Sequence, residues 1–327
     1  MKNHSILRVE DLSIDYIVLG GSLKAVRNIS FEIYEGEVVC LVGESGSGKS
    51  TVGLAIAGAL PENAIIHSGR IIFMGKNLLE AETRNKKVNN IMIVFQDPAA
   101  TLNPLFKVGE VISDVIKTHL HIKEREKIKE KALEMFRMVE LPDPARIYNS
   151  YPHELSGGML QRVVIAIALS TNPRMLIADE PTTMLDVTLQ AQIIDLLLSL
   201  KRKLGLSMLF ITHNLGVASE IADRIIVMYG GELIEEANSS ELINNPLHPY
   251  TRGLMECIPR THIKYSKLKH IPGTIPDLAN PLKGCIFSDR CSEVMDVCRV
   301  VKPPIKEYSR NHKVACHLYL EEKQWAD

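Results

Sequence analysis

GESGSGKST, residues 43–51, lies between the apolar run EVVCLVG and the helix-compatible TVGLAIAGAL. It fits the pattern G-x-x-x-x-G-K-S/T, and it does so in the strand–loop–helix setting that the pattern requires. Glycines let a backbone wrap around phosphate oxygens with no Cβ in the way. Inward N–H groups and the start of a helix then present positive potential to an anion. The stretch therefore assigns Gly43, Ser45, Gly46, Ser47, Gly48 and Lys49 to the phosphates of a nucleotide. Lys49 is expected to reach the β- and γ-phosphates, Ser50 to hold Mg2+, and Thr51 to lie on the α-phosphate side. A plain glycine turn would not need pattern, strand and helix to coincide.

Working outward, EVVCLVG, IMIVFQ, MLIADE and SMLFITH are short apolar runs of the kind that fill a parallel sheet covered on both faces. Helical patterns alternate with them. In TLQAQIIDLLLSLKRKLG the apolar positions 189, 193, 196, 197 and 200 share a face, and Gly205 is a stop signal. RIIVMYGGELIEEA reads as a hairpin around Gly230-Gly231. Residues 97–170 hold a charged helical stretch, KEREKIKEKALEMFRMVEL, and no clear strand, so they read as a helical insertion in an α/β domain. Beyond about residue 244 the proline-rich NNPLHPY and IPGTIPDLANPLKG mark a boundary to a small C-terminal unit.

Composition narrows the setting. The 327 residues suffice for two domains, with 46% hydrophobic and 24% charged residues. A formal net charge of -1 argues against nucleic acid as partner. No apolar run approaches the roughly 18–20 residues of a membrane span, and MKNHSILRVED lacks the apolar region of a signal peptide. A cytoplasmic chain with reduced thiols is expected. Cys40 and Cys257 then read as small packed residues.

Phosphoryl transfer also needs a carboxylate for the metal and a group to orient water. MLIADE ends in Asp179 and Glu180, at the carboxyl edge of a strand. Asp179 is expected to orient Mg2+ and Glu180 to act as general base. SMLFITH would bring His213 to the same edge, within reach of the γ-phosphate. LSGGMLQR, residues 155–162, opens another helical stretch, with Ser156 as N-cap and Gly157-Gly158 exposing backbone N–H groups. One nucleotide does not need two anion-binding helix starts in one chain. Two chains arranged head to tail could each use the other's.

With these motifs assembled, the sequence resembles the ATPase subunits of ABC transporters. The phosphate loop, LSGGM, IADEP and the ITH histidine occur once each in that family's order, over about residues 5–245. The resemblance implies an ABC ATPase core of the P-loop (RecA-like) α/β class, with an antiparallel β subdomain and a helical subdomain. It puts Gln96, in VFQDP, in the Q-loop that senses Mg2+ and the membrane subunit, and Asp186, in TTMLD, in the D-loop, where Met184 replaces the usual small residue. Tyr16, in LSIDY, takes the place of the aromatic that stacks on adenine. NPLHPYTRGLMECIP, IPGTIPDL and GCIFSDRC resemble the C-terminal extension of dipeptide and oligopeptide importers. The implied organisation is an ATPase domain over 1–244, with its helical subdomain at about 97–170, and an extension over 245–327. The implied partners are a second ATPase subunit, two membrane permeases and, through them, an extracytoplasmic binding protein, which would place the chain on the inner face of the membrane. Relatives in this branch import peptides, nickel or oligosaccharides. The competing class, soluble ABC ATPases acting on ribosomes or DNA, usually has two cassettes or a long coiled-coil insertion.

Cys285, Cys291, Cys298 and Cys316, spaced C-x5-C-x6-C-x17-C, remain. Four thiolates suit zinc or an iron–sulfur cluster. Structural zinc sites usually carry tighter C-x2–4-C pairs, and the uneven spacing could wrap a larger cluster. The importer resemblance also implies an iron–sulfur site, so the expectation is a 4Fe–4S cluster with zinc as alternative. The role expected of it is to hold the tail together; reporting redox state to the ATPase is the other reading.

Overall fold

The strand that leads into the phosphate loop is buried at all its positions, Val38 to Val42, as a strand covered on both faces must be. The computed structural model describes residues 4–80, 90–257 and 270–320. The chain divides into two units. One takes residues 5–33, 38–79 and 211–327, and the other takes chiefly 80–210 together with 34–37.

The first unit contains the phosphate loop. Strands β1 (Ser5–Val18) and β2 (Gly21–Tyr34) form a sheet with β4 (Ala64–Phe73) and β5 (Lys76–Asn77), in the order β2-β1-β4-β5. This is the antiparallel subdomain implied by the resemblance, and β1 and β4 run antiparallel. A register shift after Glu10, with Asp11 at φ 48°, keeps Leu7, Val9, Leu12 and Ile14 buried on both sides of the irregularity. The second sheet of this unit has the order β11-β12-β10-β9-β3. Its strands are β3 (Val38–Val42), β9 (Arg224–Tyr229), β10 (Glu232–Asn238), β11 (Lys306–Ser309) and β12 (His312–Val314). β3 and β9 are parallel. β9 and β10 form the hairpin read from the sequence, turning at Gly230 and Gly231 with φ 54° and 83°. The tail thus contributes β11 and β12 to the sheet that carries the phosphate loop.

The other unit has strands β6 (Ile91–Val94) and β7 (Met175–Asp179), which are parallel, and β8 (Ser207–Thr212), in the order β8-β7-β6. Helices Val108–Leu120, Arg125–Met138, Pro144–Asn149 and Gly157–Leu169 occupy the insertion, and among the described residues no strand interrupts it. Ile112, Ile116, Ala132, Phe136 and Val163 are fully buried there, and each large apolar side chain so buried is worth about 1.5–3 kcal/mol. Helix Val187–Leu204 begins on Asp186 and ends at Gly205, φ 64°. Of its expected stripe, Ile193, Leu196, Leu197 and Leu200 are buried, while Leu189 in the first turn is only partly covered.

Candidate functional site

The phosphate loop is held by contacts that only glycine permits. Gly48 caps helix Lys49–Ala57 in the left-handed region, φ 96°, and a Cβ there would run into the carbonyl of Ala25. Lys49 is 4% exposed. Its Nζ donates to the carbonyls of Gly43 and Glu44, each at 2.8 Å, and to Ser47 Oγ at 3.2 Å. The lysine therefore already lies over the loop that it is expected to serve. Ser45, Gly46 and Ser50 are exposed, while Ser47 and Thr51 are buried. Gly231 N–H donates to Ser47 O at 3.2 Å, so the hairpin turn supports the loop from behind. Tyr16 arrives on β1 with its Oη 3.2 Å from Thr51 Oγ1, which brings the expected adenine-stacking aromatic to the same helix. Gly48→Ala is expected to weaken Mg-ATP binding at least about tenfold, since about 1–3 kcal/mol of backbone strain adds to the clash. Titration with a fluorescent ATP analogue, alongside a melting curve, measures it.

The division between the units falls within β8, after Phe210; His213, just beyond the strand, belongs to the unit of the phosphate loop and is exposed. The next residue, Asn214, accepts N–H bonds from Gly216 (2.9 Å) and Val217 (3.3 Å) and so starts helix Leu215–Ile221. The cap fixes the turn on which the histidine sits.

In the other unit, the parallel neighbours β6 and β7 deliver three expected residues, Gln96, Asp179 and Glu180, to one edge. Asp179 closes β7 and is 8% exposed. Glu180 follows with φ 47°, a conformation uncommon for a residue with a Cβ and concentrated at functional positions. Its Oε2 accepts from Gln96 Nε2 at 3.2 Å and from Thr183 Oγ1 at 2.9 Å. A carboxylate aimed by two donors, on a backbone bent to present it, is arranged to accept a proton from water. Ser156 caps helix Gly157–Leu169 through Met159 N–H, 3.4 Å from its Oγ. Gly157 is exposed, and Gly158 is buried against Leu189, with 3.2 Å from its Cβ position to the leucine Cδ2. Asp186 Oδ1 accepts from Thr188 and Leu189 N–H, both at 3.0 Å, so the expected D-loop acid is also a helix cap. Met184 and Val187 beside it are 65% and 83% exposed.

The four tail cysteines carry free thiols. Burial pushes the Cys285 thiol up to about 12, and the nearby Cys298, Cys316 and Cys291 add repulsion. Burial likewise raises Cys316, to about 11, and Cys291, with Cys298 again among the repelling neighbours. Cys285, Cys291 and Cys316 each accept a backbone N–H, from Phe287, Glu293 and Leu318, two residues on in each case. Among the described residues, however, no group of three or more His, Cys, Asp or Glu side chains is drawn together as a metal-ion site. The thiols are neighbours, but the expected metal site is not formed as a ligand set. Two residues without a role in the sequence reading also prove central. Glu44, inside the phosphate loop, pairs with Arg290 beside Cys291, and its N–H donates to Tyr250 Oη at 2.9 Å. A charged residue among the loop's variable positions was the only signal available for this contact.

Comparison with known proteins gives a consistent result. The ABC transporter family profile matches residues 26–183, and the oligopeptide/dipeptide transporter C-terminal region matches 234–298. A dipeptide transport ATP-binding protein, DppD, of Caldanaerobacter subterraneus is 46% identical over 319 residues, covering 97% of this chain and 98% of the relative. A probable peptide ABC transporter ATP-binding protein of Sinorhizobium fredii is 44% identical over 316 residues, with 95% and 94% covered. Bacillus subtilis OppD, an oligopeptide transport ATP-binding protein, is 44% identical over 318 residues, with 96% and 88% covered. Among solved structures, the ATP-binding cassette MJ0796, dimeric with ADP and Pi bound, aligns with a TM-score of 0.62 at 32% identity, over 71% of this chain and 98% of that one. CbiO1 of Clostridium perfringens, part of the cbiONQ ABC transporter complex, gives 0.63 at 30%, over 74% and 91%.

Proposed function

The chain belongs to the ATP-binding subunits of ABC transporters, in the branch with the oligopeptide/dipeptide C-terminal region, and we propose that it powers import of dipeptides or oligopeptides. It is an ATPase whose hydrolysis is coupled to transport. The observation that carries the peptide reading is the match of both regions together with the peptide-transport relatives along nearly the whole chain. Nickel and oligosaccharides are the alternative cargoes. Among the described residues no helix is long and apolar enough to cross a membrane. In this reading the chain docks at the inner face on two membrane permease subunits, to which an extracytoplasmic binding protein brings the peptide.

In the proposed mechanism, Gly43, Ser45, Gly46, Ser47, Gly48, Lys49 and Thr51 bind the phosphates and Tyr16 stacks on adenine. Ser50, Gln96 and Asp179 are hydroxyl, amide and carboxylate donors, an oxygen set of the kind that holds Mg2+. The ion, when bound, neutralises charge that develops on the phosphate oxygens. Glu180 accepts the proton of the attacking water and His213 contacts the γ-phosphate. Ser156, Gly157 and Gly158 complete the site of a second ATPase subunit, which offers the same groups in return. In support, Ser156 and Gly157 are exposed at a helix start. The tail thiols are proposed to hold a 4Fe–4S cluster, with zinc as alternative. In support, the four thiols are free and are electrostatic neighbours, and backbone N–H groups donate to three of them, as is common around thiolate-held clusters. The test is reconstitution with the companion permeases and binding protein in vesicles. ATP-dependent uptake of labelled dipeptide is expected; uptake of nickel or oligosaccharide alone would overturn the cargo.

A further inference from the structure

Arg290 carries the tail into the nucleotide loop. Its guanidinium spans both carboxylate oxygens of Glu44, Nη1 to Oε2 at 2.8 Å and Nη2 to Oε1 at 3.1 Å. The other donors reach Tyr229 Oη (3.1 Å) and the carbonyls of Pro272 (2.8 Å) and Ile271 (3.1 Å). Every N–H of the fork thus has an acceptor, and the side chain is 6% exposed. Arg290 lies 5.7 Å over the Tyr229 ring, which itself packs on Tyr250 and Phe287. Glu44 is consequently held at three points: its carboxylate by Arg290, its N–H by Tyr250, and its carbonyl by Lys49 Nζ. The last contact belongs to the lysine that serves the phosphates.

We propose that Arg290 is a positioning residue for the phosphate loop: by holding Glu44 it sets Lys49 and the loop N–H groups before nucleotide arrives, so that nucleotide affinity depends on the tail. A loop with several glycines has much backbone freedom to lose. Restraint supplied in advance by a partly buried bidentate pair lowers that cost in the binding step. Cys291 adjoins Arg290 in sequence, so the loop that carries the cysteines also aims the arginine. The inference rests on the reading of residues 43–51 as the ATP site.

The test uses the full chain, a fluorescent ATP analogue with Mg2+, and steady-state phosphate release. Arg290→Gln and Glu44→Gln are each expected to raise the Kd, and the KM for ATP, roughly tenfold while kcat stays near its starting value. The double variant should bind no more weakly than the weaker single, because both changes remove one interaction. Arg290→Lys should recover part of the loss. Losses that multiply in the double variant, or unchanged affinity in either single, overturn the proposal. Should Arg290→Gln lose its melting transition, Glu44→Gln decides alone, since it leaves the tail's own side chains in place. Unchanged affinity in Lys49→Ala would instead overturn the assignment of the ATP site.

Discussion

Glu180→Gln is expected to bind ATP with near-normal affinity and to hydrolyse it roughly 10²–10⁴-fold more slowly, the usual contribution of a general base. The substitution is close to isosteric, and the carboxylate's two partners are both donors, Gln96 Nε2 and Thr183 Oγ1. A glutamine can turn its carbonyl oxygen to them and keep the arrangement. The left-handed backbone at φ 47° does not depend on the charge. What disappears is the ability to take a proton from water. The groups proposed to bind phosphate, Lys49 and the loop N–H groups, are untouched, so affinity and turnover should separate. Phosphate release and analogue binding on the same preparation measure the two. Near-normal turnover would remove Glu180 from the role, and a parallel loss of binding would make it a ligand-holding residue instead. With hydrolysis blocked, ATP should also hold paired ATPase subunits together, visible as a shift in elution volume.

Much of this arrangement was legible because its signals are local. The phosphate loop is written in consecutive residues, each with a backbone reason: Gly48 must take φ 96° under the Ala25 carbonyl, and the sequence shows a glycine there. The apolar runs that became β3, β6, β7 and β8 needed only composition and length. Ser156 and Gly205 are a cap and a stop that act within a few residues. The Arg290–Glu44 pair was not legible, because 246 positions separate its members and the local patterns that hold them, GESGSGKST and GCIFSDRC, carry no sign of each other. The tail's strands were missed for a related reason. KEYS in β11 is exposed throughout, and HKV in β12 has three residues, too few for a periodicity to register. Their place at the edge of the sheet comes from pairing, β12 with β10 and β11 with β12, contacts that composition does not encode. Texture alone, proline-rich and cysteine-rich, shows where the chain changes character and says nothing of what it then packs against.

Cys298→Ser is expected to abolish metal loading of the tail, to lower the melting temperature, and to weaken ATP binding as well. Cys298 is 7% exposed, and its backbone is part of the tail's framework: its carbonyl accepts Cys285 N–H at 2.7 Å and its N–H donates to Met295 O at 2.9 Å. Gly284, immediately before Cys285, packs so closely on the Cys298 carbonyl that a Cβ would not fit. Serine preserves these backbone bonds and nearly the same volume, so the change isolates the sulfur. On the proposed cluster reading, loss of one of four thiolate ligands should cost several kcal/mol of metal-coupled folding energy, and each kcal/mol corresponds to about 2–4 °C of melting temperature in a domain of about 150–250 residues. Iron and zinc content by elemental analysis, with the visible absorption of anaerobically purified protein, identify what the unaltered site holds. Iron with an absorption that bleaches on reduction fits the cluster; zinc in a colourless protein fits the alternative. A metal-free parent with a melting curve identical to the variant's would show that the thiols are simply packed. The ATP measurement separates the two roles of the tail. If the cysteine site only holds the tail together, nucleotide affinity should fall with stability, through the loosened Arg290, and should not respond to oxidant in the parent protein. If the site reports redox state, the parent's affinity should change with oxidant while its folding does not, and Cys298→Ser should erase that response.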